Sequence, residues 1–258
     1  MAVQALLAQL ASVPRDPAAN AARAVEAIRS RPEADLAVFP ELFLSAYVTA
    51  GVVDAARAPD SPELRSVADA AREVGTAVVI GFAEAFEGGV ANSAACFDRD
   101  GSLAAVYRKT QLFGAEREAF ASGTELMLVE LAGRRAAPLV CFDVEFPEVA
   151  RRVAVSGAGL IVVSSANMEP FYVDHEVGTR ARALENRLPL VYANAVGTVD
   201  GVHFVGGSRS VDADGNVLAE AAHDSEELML APVGAPGTAD ERVDYLRHLP
   251  GSLDVVRL

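Results

Sequence analysis

An apolar run meets a polar segment at one cysteine, in the stretch Ala137-Pro138-Leu139-Val140-Cys141-Phe142-Asp143-Val144-Glu145-Phe146-Pro147-Glu148-Val149-Ala150-Arg151-Arg152. The apolar run is typical of a buried strand, and Pro147 followed by Glu148 is typical of the first turn of a helix. A thiol at such a junction lies at the carboxyl end of a strand, where open α/β sheets bind ligands, and a helix N-terminus favours the thiolate. The stretch alone also suits a buried structural cysteine. Cys141 is therefore a candidate nucleophile whose role depends on the rest of the chain.

The composition limits the classes of partner and compartment. The chain has 258 residues, of which 51% are hydrophobic, and this is enough for a globular core. Its formal net charge of −14 argues against nucleic acid and anionic membranes as partners. The two cysteines, Cys96 and Cys141, form neither a disulfide framework nor a metal-ligand spacing, so we expect a cytoplasmic protein without a metal. The first residues lack the basic segment of a signal peptide, and no apolar run approaches the ~18 residues of a membrane helix.

Apolar periodicity predicts alternating strands and helices in the first third of the chain. Strands are predicted at 3–10, 35–39 and 76–82, with helices that begin at Asp16-Pro17 and at Ser61-Pro62. The second helix is expected to end at Gly75. This β-α-β-α-β order predicts parallel pairing. A hairpin follows, with strands at 91–98 and 102–108 joined by Arg99-Asp100-Gly101, and then a loop or short helix at 110–123.

The second half continues in the same way. Helices are predicted at 147–156 and 174–187, and strands at 160–164, 190–194 and 227–233. Residues 204–212 and 217–222 are expected to pair around the turn at 212–216. Because no linker of convincing length is found, we interpret residues 1–258 as a single domain in which 234–258 form a C-terminal tail.

Glu41, Lys109 and Cys141 each follow a predicted apolar strand. If these strands are neighbours, the three side chains converge at one rim of a sheet. A thiol needs a base to become a nucleophile, and a carboxylate in an apolar cleft can serve because desolvation raises its pKa. A lysine ammonium can stabilise the oxyanion of a tetrahedral intermediate. Considered alone, Glu41 would be interpreted as a surface carboxylate, and Lys109 would be interpreted as a solvated lysine. The prediction of a catalytic site therefore depends on their combination with Cys141.

Three segments resemble, in order and spacing, the three signatures of the nitrilase, or carbon–nitrogen hydrolase, superfamily. They are Phe39-Pro40-Glu41-Leu42-Phe43, Tyr107-Arg108-Lys109-Thr110-Gln111-Leu112-Phe113 and Cys141-Phe142-Asp143-Val144-Glu145-Phe146-Pro147-Glu148. Two later stretches also match, Arg182 to Arg187 leading to Asn194, and Gly206-Gly207-Ser208 leading to Asp214-Gly215. The resemblance implies an α/β fold, a four-layer αββα sandwich, that pairs with a second copy into an αββα–αββα homodimer. It also implies catalysis without a metal or an organic cofactor.

The resemblance assigns roles to particular residues. Glu41 would be the general base, Lys109 would stabilise the oxyanion, Cys141 would be the nucleophile, and the backbone N–H of Phe142 would complete the oxyanion hole. Glu116, seven residues after Lys109, matches a second glutamate that positions lysine and substrate. Glu118 competes with Glu116 for this role, but its spacing is worse. Gln111 stands where many members have histidine.

Family membership leaves the substrate open, because nitriles, amides and ureido compounds are all processed on this fold. The short chain and Phe142-Asp143 after the cysteine favour hydrolysis of a small carboxamide, and the segment 165–172 is similar to small bacterial amidases. The alternatives are an N-carbamoyl amide hydrolase and an ω-amidase that acts on dicarboxylate monoamides. A catalytically silent interaction module on the same fold is the alternative from another class.

The strand at 160–164 is expected to lie beside the strand that leads to Cys141, so the residues after it are candidates for the substrate pocket. These substrate-binding candidates are Asn167, Met168, Phe171 and Tyr172. Met168 and Phe171 also suit a plain core position. Because 165–173 contains no arginine or lysine, we expect neutral amides to be preferred over dicarboxylate monoamides.

Other polar residues are weaker candidates. The four histidines, His175, His203, His223 and His248, lie in no recognisable catalytic signature and are interpreted as surface or hydrogen-bonded residues. Asp143 and Glu148 are interpreted as turn and helix-cap residues rather than as a carboxylate pair for glycoside hydrolysis. Self-association is expected through helices that include the mixed-charge segment 174–187.

Overall fold

The computed structural model describes residues 3–237 and 245–246, and its strands form two six-stranded sheets and one two-stranded ribbon. The first sheet contains β1 (Val3–Gln9), β2 (Leu36–Val38), β3 (Ala77–Phe86), β4 (Gly89–Phe97), β5 (Leu103–Arg108) and β14 (Glu227–Val233). The second contains β6 (Val129–Leu131), β7 (Arg134–Val140), β8 (Leu160–Ser165), β9 (Leu190–Asn194), β12 (Arg209–Val211) and β13 (Val217–Glu220). The ribbon pairs β10 (Val196–Val199) with β11 (Val202–Val205).

The helices are α1 (Pro17–Ser30), α2 (Val52–Ala55), α3 (Pro62–Val74), α4 (Glu116–Ala119), α5 (Pro147–Val155) and α6 (Tyr172–Asn186), with a 3₁₀ helix at Cys141–Glu145. The predicted starts of the first two long helices are confirmed, because the side chains of Asp16 and Ser61 accept the N–H groups of Ala19 and Leu64. Gly75 ends α3 in the left-handed conformation that only glycine adopts without strain. No helix of the described residues is long and apolar enough to cross a membrane.

The central strands of each sheet pair in parallel, as predicted. β1, β2 and β3 pair in parallel in one sheet, and β7, β8 and β9 pair in parallel in the other. Alternate residues of a strand face opposite sides, so Leu7 and Val79 lie in the core between the sheets, while Leu6 and Val78 pack beneath α1 and α3. Helices α5 and α6 cover the outer face of the second sheet. This arrangement is the expected αββα sandwich.

Some elements differ from the prediction. The segment 204–212 is not one strand, because Gly206 and Gly207 both have positive φ and separate β11 from β12. The hairpin of β6 and β7 and the ribbon of β10 and β11 were not predicted, although Asp200-Gly201 is a turn signal. The tail proposed at 234–258 lies mostly outside the described residues.

Candidate active site

Glu41 lies in a tight turn directly after β2, where it is buried. The turn can lie against β3 because position 81 is a glycine, and a Cβ there would overlap the carbonyl oxygen of Pro40. One carboxylate oxygen accepts from Lys109 Nζ at 2.6 Å and from Asn92 Nδ2 at 2.7 Å, and the other accepts from the N–H of Ala166 at 3.1 Å. Burial raises the pKa of Glu41 to about 7 against the opposing charge of Lys109, so this carboxyl can exchange a proton near neutral pH.

Lys109 follows β5 and is only 1% exposed. Its ammonium lies 2.6 Å from Glu41 and 2.9 Å from Glu116. The backbone at Gly123 packs closely against the segment that carries Lys109. The N–H of Gly123 donates to the carbonyl of Lys109 at 2.8 Å, and a side chain at position 123 would overlap Arg108. Burial lowers the pKa of Lys109, but the neighbouring carboxylates of Glu41 and Glu116 outweigh it and raise that pKa above its ordinary value. The ammonium is therefore a permanent cation.

Glu116, at the start of α4, is the glutamate that contacts the lysine, whereas Glu118 is exposed. Its carboxylate also accepts from the N–H of Phe113 at 2.8 Å and from Asn92 Nδ2 at 3.2 Å. Asn92 on β4 thus bridges the two glutamates. Asn92 was not identified from the sequence, where its only signal is the polar pair Asn92-Ser93 in a mostly apolar strand.

Cys141 is the first residue of the 3₁₀ helix and has a φ of 44°. This left-handed conformation is uncommon for a residue with a Cβ and is typical of sharp functional turns. The residue is 8% exposed and lines a cleft. Burial and then the charge of Glu41 raise the pKa of Cys141 well above its usual range, and Lys109, Ser165 and Ala166 oppose this only in part. Burial of the sulfur therefore opposes the thiolate that the start of a helix favours, so the thiol needs a base to lose its proton.

Asp143 is fully buried and connects the cysteine turn to the lysine loop. Its carboxylate accepts from the hydroxyl of Tyr107 at 2.8 Å and from the N–H of Val140 at 3.0 Å. It also accepts from Thr110, through Oγ1 at 2.8 Å, and from the N–H of Gln111 at 2.9 Å. The interpretation of Asp143 as a turn or helix-cap residue is thus incomplete, since most of its partners come from the segment that carries Lys109. Glu148 is exposed in the first turn of α5, as expected.

The cleft beside Cys141 is narrow and partly open to solvent. It is lined by Tyr47, Phe113, Phe142, Glu145, Ala166, Asn167, Met168, Phe171 and His175 in addition to the cysteine. Three of the four predicted pocket residues, Asn167, Met168 and Phe171, are in this lining. The ring of Tyr172 lies instead against His223, with centroids 4.6 Å apart, because Tyr172 begins α6 and faces the second sheet.

A chain of hydrogen bonds runs from the sheet to the cleft. The hydroxyl of Ser165 donates to that of Tyr192 at 2.9 Å, and Tyr192 lies 2.9 Å from Nδ1 of His175. Nε2 of His175 lies 3.1 Å from a carboxylate oxygen of Glu145. Burial lowers the pKa of His175, so the ring is neutral and directs one N–H to Glu145. His203 and His223 are also hydrogen-bonded, and His248 lies outside the described residues.

In the part of the chain that the structure describes, no group of three His, Cys, Asp or Glu side chains is arranged to hold a metal ion. The chemistry that the site offers is a buried thiol, a carboxyl that can exchange a proton, and a cation held between two carboxylates. The first backbone N–H groups of the 3₁₀ helix, including that of Phe142, have no carbonyl partner within the helix. Such a set suits nucleophilic attack on a carbonyl-like carbon.

Known proteins with similar sequences include amidases and nitrilases. An (R)-stereoselective amidase from Pseudomonas sp. is 39% identical over 221 residues, which cover 84% of this chain and 80% of that protein. A 2-oxoglutaramate amidase from Bacillus subtilis is 29% identical over 213 residues, covering 81% of this chain and 82% of that protein.

Solved structures with the same fold extend the comparison. The amidase from Nesterenkonia sp. superposes with a TM-score of 0.82 at 31% identity, over 95% of this chain and 92% of that chain. That amidase has been solved as a double mutant in complex with acrylamide, and as a mutant with the acetamide moiety of fluoroacetamide added covalently at its active-site cysteine. The model of the carbon–nitrogen hydrolase family matches residues 5–239. The chain therefore belongs to the carbon–nitrogen hydrolase family and is an enzyme of the nitrilase superfamily.

Proposed function

We propose that this enzyme hydrolyses small carboxamides to the carboxylic acid and ammonia through a thioester on Cys141. The observation that carries the proposal is the buried contact of Glu41, Lys109 and Glu116 beside the cysteine, with the lysine 2.6 Å and 2.9 Å from the two carboxylates. The amidase relatives support the same substrate class.

In the proposed mechanism the proton of the Cys141 thiol passes to Glu41 as the sulfur attacks the amide carbon. This order fits a free enzyme in which the thiol is neutral and the base has a pKa of about 7. Lys109 and the N–H of Phe142 hold the oxyanion. Glu41 then gives its proton to the leaving ammonia, which leaves the thioester, and afterwards activates the water that releases the acid. Glu116 orients Lys109 and the substrate without exchanging protons.

Ammonia release from a panel of substrates tests this function. We expect propionamide to be hydrolysed faster than propionitrile, an N-carbamoyl amino acid or α-ketoglutaramate. Mass spectrometry after brief mixing should show an acyl adduct on Cys141. The ω-amidase is the second candidate because two relatives are 2-oxoglutaramate amidases. No lysine or arginine is among the described residues that line the cleft, which disfavours a substrate carboxylate. A clear preference for α-ketoglutaramate would favour that second candidate.

The activity should depend on pH through Glu41. Its carboxyl must be ionised to accept the thiol proton, so kcat/KM for propionamide should rise as pH increases through about 7. At pH 5 about 1% of the base is ionised and roughly a hundredfold loss is expected, whereas a plateau follows above pH 8. Propionamide is a suitable probe because it does not titrate in this range. A flat profile from pH 5 to 8 would contradict the assignment of Glu41 as the base.

We also propose a homodimer through the outer face of α5 and α6. Val173 and Val177 are each 59% exposed on one face of α6, and Val155 is 57% exposed on α5. Exposed apolar side chains on neighbouring helices are typical of a contact between subunits. Light scattering at micromolar concentration should give the mass of a dimer or larger oligomer. Val177→Glu should shift the measured mass toward that of the monomer. Val13→Glu is the control, because Val13 is also exposed but does not lie on α5 or α6, and it should leave the mass unchanged. A monomer in the unmodified protein would reject the proposal.

A further inference from the structure

Glu145 is a carboxylate in the cleft that the proposed mechanism does not use. It ends the 3₁₀ helix that begins with Cys141, and its side chain is 28% exposed. Among the described residues its side chain bonds to the neutral imidazole of His175, at 3.1 Å. One oxygen is engaged by that bond, so the other is available to a molecule in the cleft.

Asn167 offers a second acceptor in the same cleft. The side chain is 3% exposed, and its Nδ2 donates to the carbonyl of Phe171 at 3.1 Å, which sets the orientation of the amide. Its Oδ1 is buried and has no hydrogen-bond partner among the described residues. A buried acceptor without a partner is unfavourable unless a ligand or water supplies a donor.

The remaining lining also favours a cation. Aromatic rings of Tyr47, Phe113, Phe142 and Phe171 face the cleft, and such rings attract ammonium groups through their electron-rich faces. Lys109 is a cation of the same site, but Glu41 and Glu116 both contact it, so its charge is already paired.

We infer that Glu145 and Asn167 form a subsite for a protonated amine, so that the preferred substrates are carboxamides that bear an ammonium group beside the amide carbon. The inference rests on the proposed amide hydrolysis and narrows its substrate class to amino-acid-like amides. The ammonium donates to the free oxygen of Glu145 and to Oδ1 of Asn167, while the amide carbon lies at the sulfur of Cys141. Neutral amides of the same shape bind without these two bonds.

Alaninamide and isobutyramide test this subsite because they have nearly the same shape, and an ammonium group replaces a methyl group. At pH 7 we expect kcat/KM for one enantiomer of alaninamide to exceed that for isobutyramide by about tenfold or more. Glu145→Gln keeps an acceptor for His175 but removes the charge, so it should lower the ratio of kcat/KM for alaninamide to kcat/KM for isobutyramide to about one. Glu148→Gln removes the same charge from an exposed position nearby and should keep the preference.

The pH dependence of the ratio is a test that needs no variant. The ratio of the two kcat/KM values cancels the titration of Glu41, so it should fall as the substrate amine loses its proton above about pH 8. Turnover of isobutyramide with no preference for either enantiomer of alaninamide would reject the subsite alone. A preference that persists in Glu145→Gln, or a ratio independent of pH, would reject it as well. If neither amide is hydrolysed, amide hydrolysis itself is rejected.

Discussion

Replacing Cys141 with alanine is expected to lower kcat for a small carboxamide by roughly 10⁴-fold or more. The proposed reaction passes through a thioester, and no other nucleophile in the described lining of the cleft can replace the sulfur. Serine should be almost as inactive, because Glu41 with a pKa of about 7 is a weak base for an alcohol. Ammonia release should be measured at high enzyme concentration, so that the very low kcat of both variants can still be detected.

The controls separate chemistry from folding. Alanine and serine both carry a Cβ, so neither changes the steric cost of the left-handed φ at position 141. Thermal unfolding of both variants should therefore resemble that of the unmodified protein. Cys96→Ala changes the other cysteine, which lies fully buried in β4, and should leave kcat within about threefold while lowering stability slightly. Near-normal turnover in Cys141→Ala would reject the nucleophile.

Replacing Glu41 with glutamine is expected to lower kcat by about 10²–10⁴-fold, the usual cost of losing a general base. Glutamine has nearly the same shape and its oxygen can still accept from Lys109, but it cannot take the thiol proton. Glu116→Gln should retain more activity, because Glu116 contacts Lys109 without a role in proton transfer. Steady-state kinetics on the same neutral amide compares the two variants directly.

Glu118→Gln is the matched control, since Glu118 lies on the same short helix as Glu116 but is exposed. It should be as active as the unmodified enzyme. Glu41→Gln and Glu116→Gln each remove one negative charge beside Lys109, so the effect of losing that charge is common to both variants. The difference in activity between them therefore reports the role of Glu41 in proton transfer. Equal losses in both, or a larger loss in Glu116→Gln, would reverse the assignment of base and positioning residue.

Much of the site is indicated by local signals in the sequence. The pairs Asp16-Pro17 and Ser61-Pro62 predict where two helices begin, because a side-chain cap and a proline at the first turn act within a few residues of one another. Glu41, Lys109 and Cys141 stand out because each directly follows a strand. Spacing along the chain favours Glu116 over Glu118, and in the structure Glu116 contacts the lysine.

Contacts between segments far apart in sequence were decided by the tertiary structure. Asn92 joins two glutamates that are 51 and 24 residues away, and Asp143 joins the cysteine turn to a loop 32 to 36 residues earlier. Neither pairing leaves a local pattern, since it depends on which strands become neighbours. The neutral resting state of the thiol is also a tertiary effect, because only packing determines how far the sulfur is removed from water.

The sequence by itself determined the order of the longer strands and helices and the residue types at the strand ends, because hydrophobic periodicity and helix caps act over a few residues. The tertiary structure alone decided that Glu145, His175 and Tyr47 share a cleft with Cys141, while Tyr172 lies elsewhere. The physical reason is that the lining of a cleft depends on how the ends of separate strands and helices meet. The order of strands in each sheet and the packing of the layers decide which of these ends become neighbours. No short stretch of the chain specifies that order or that packing.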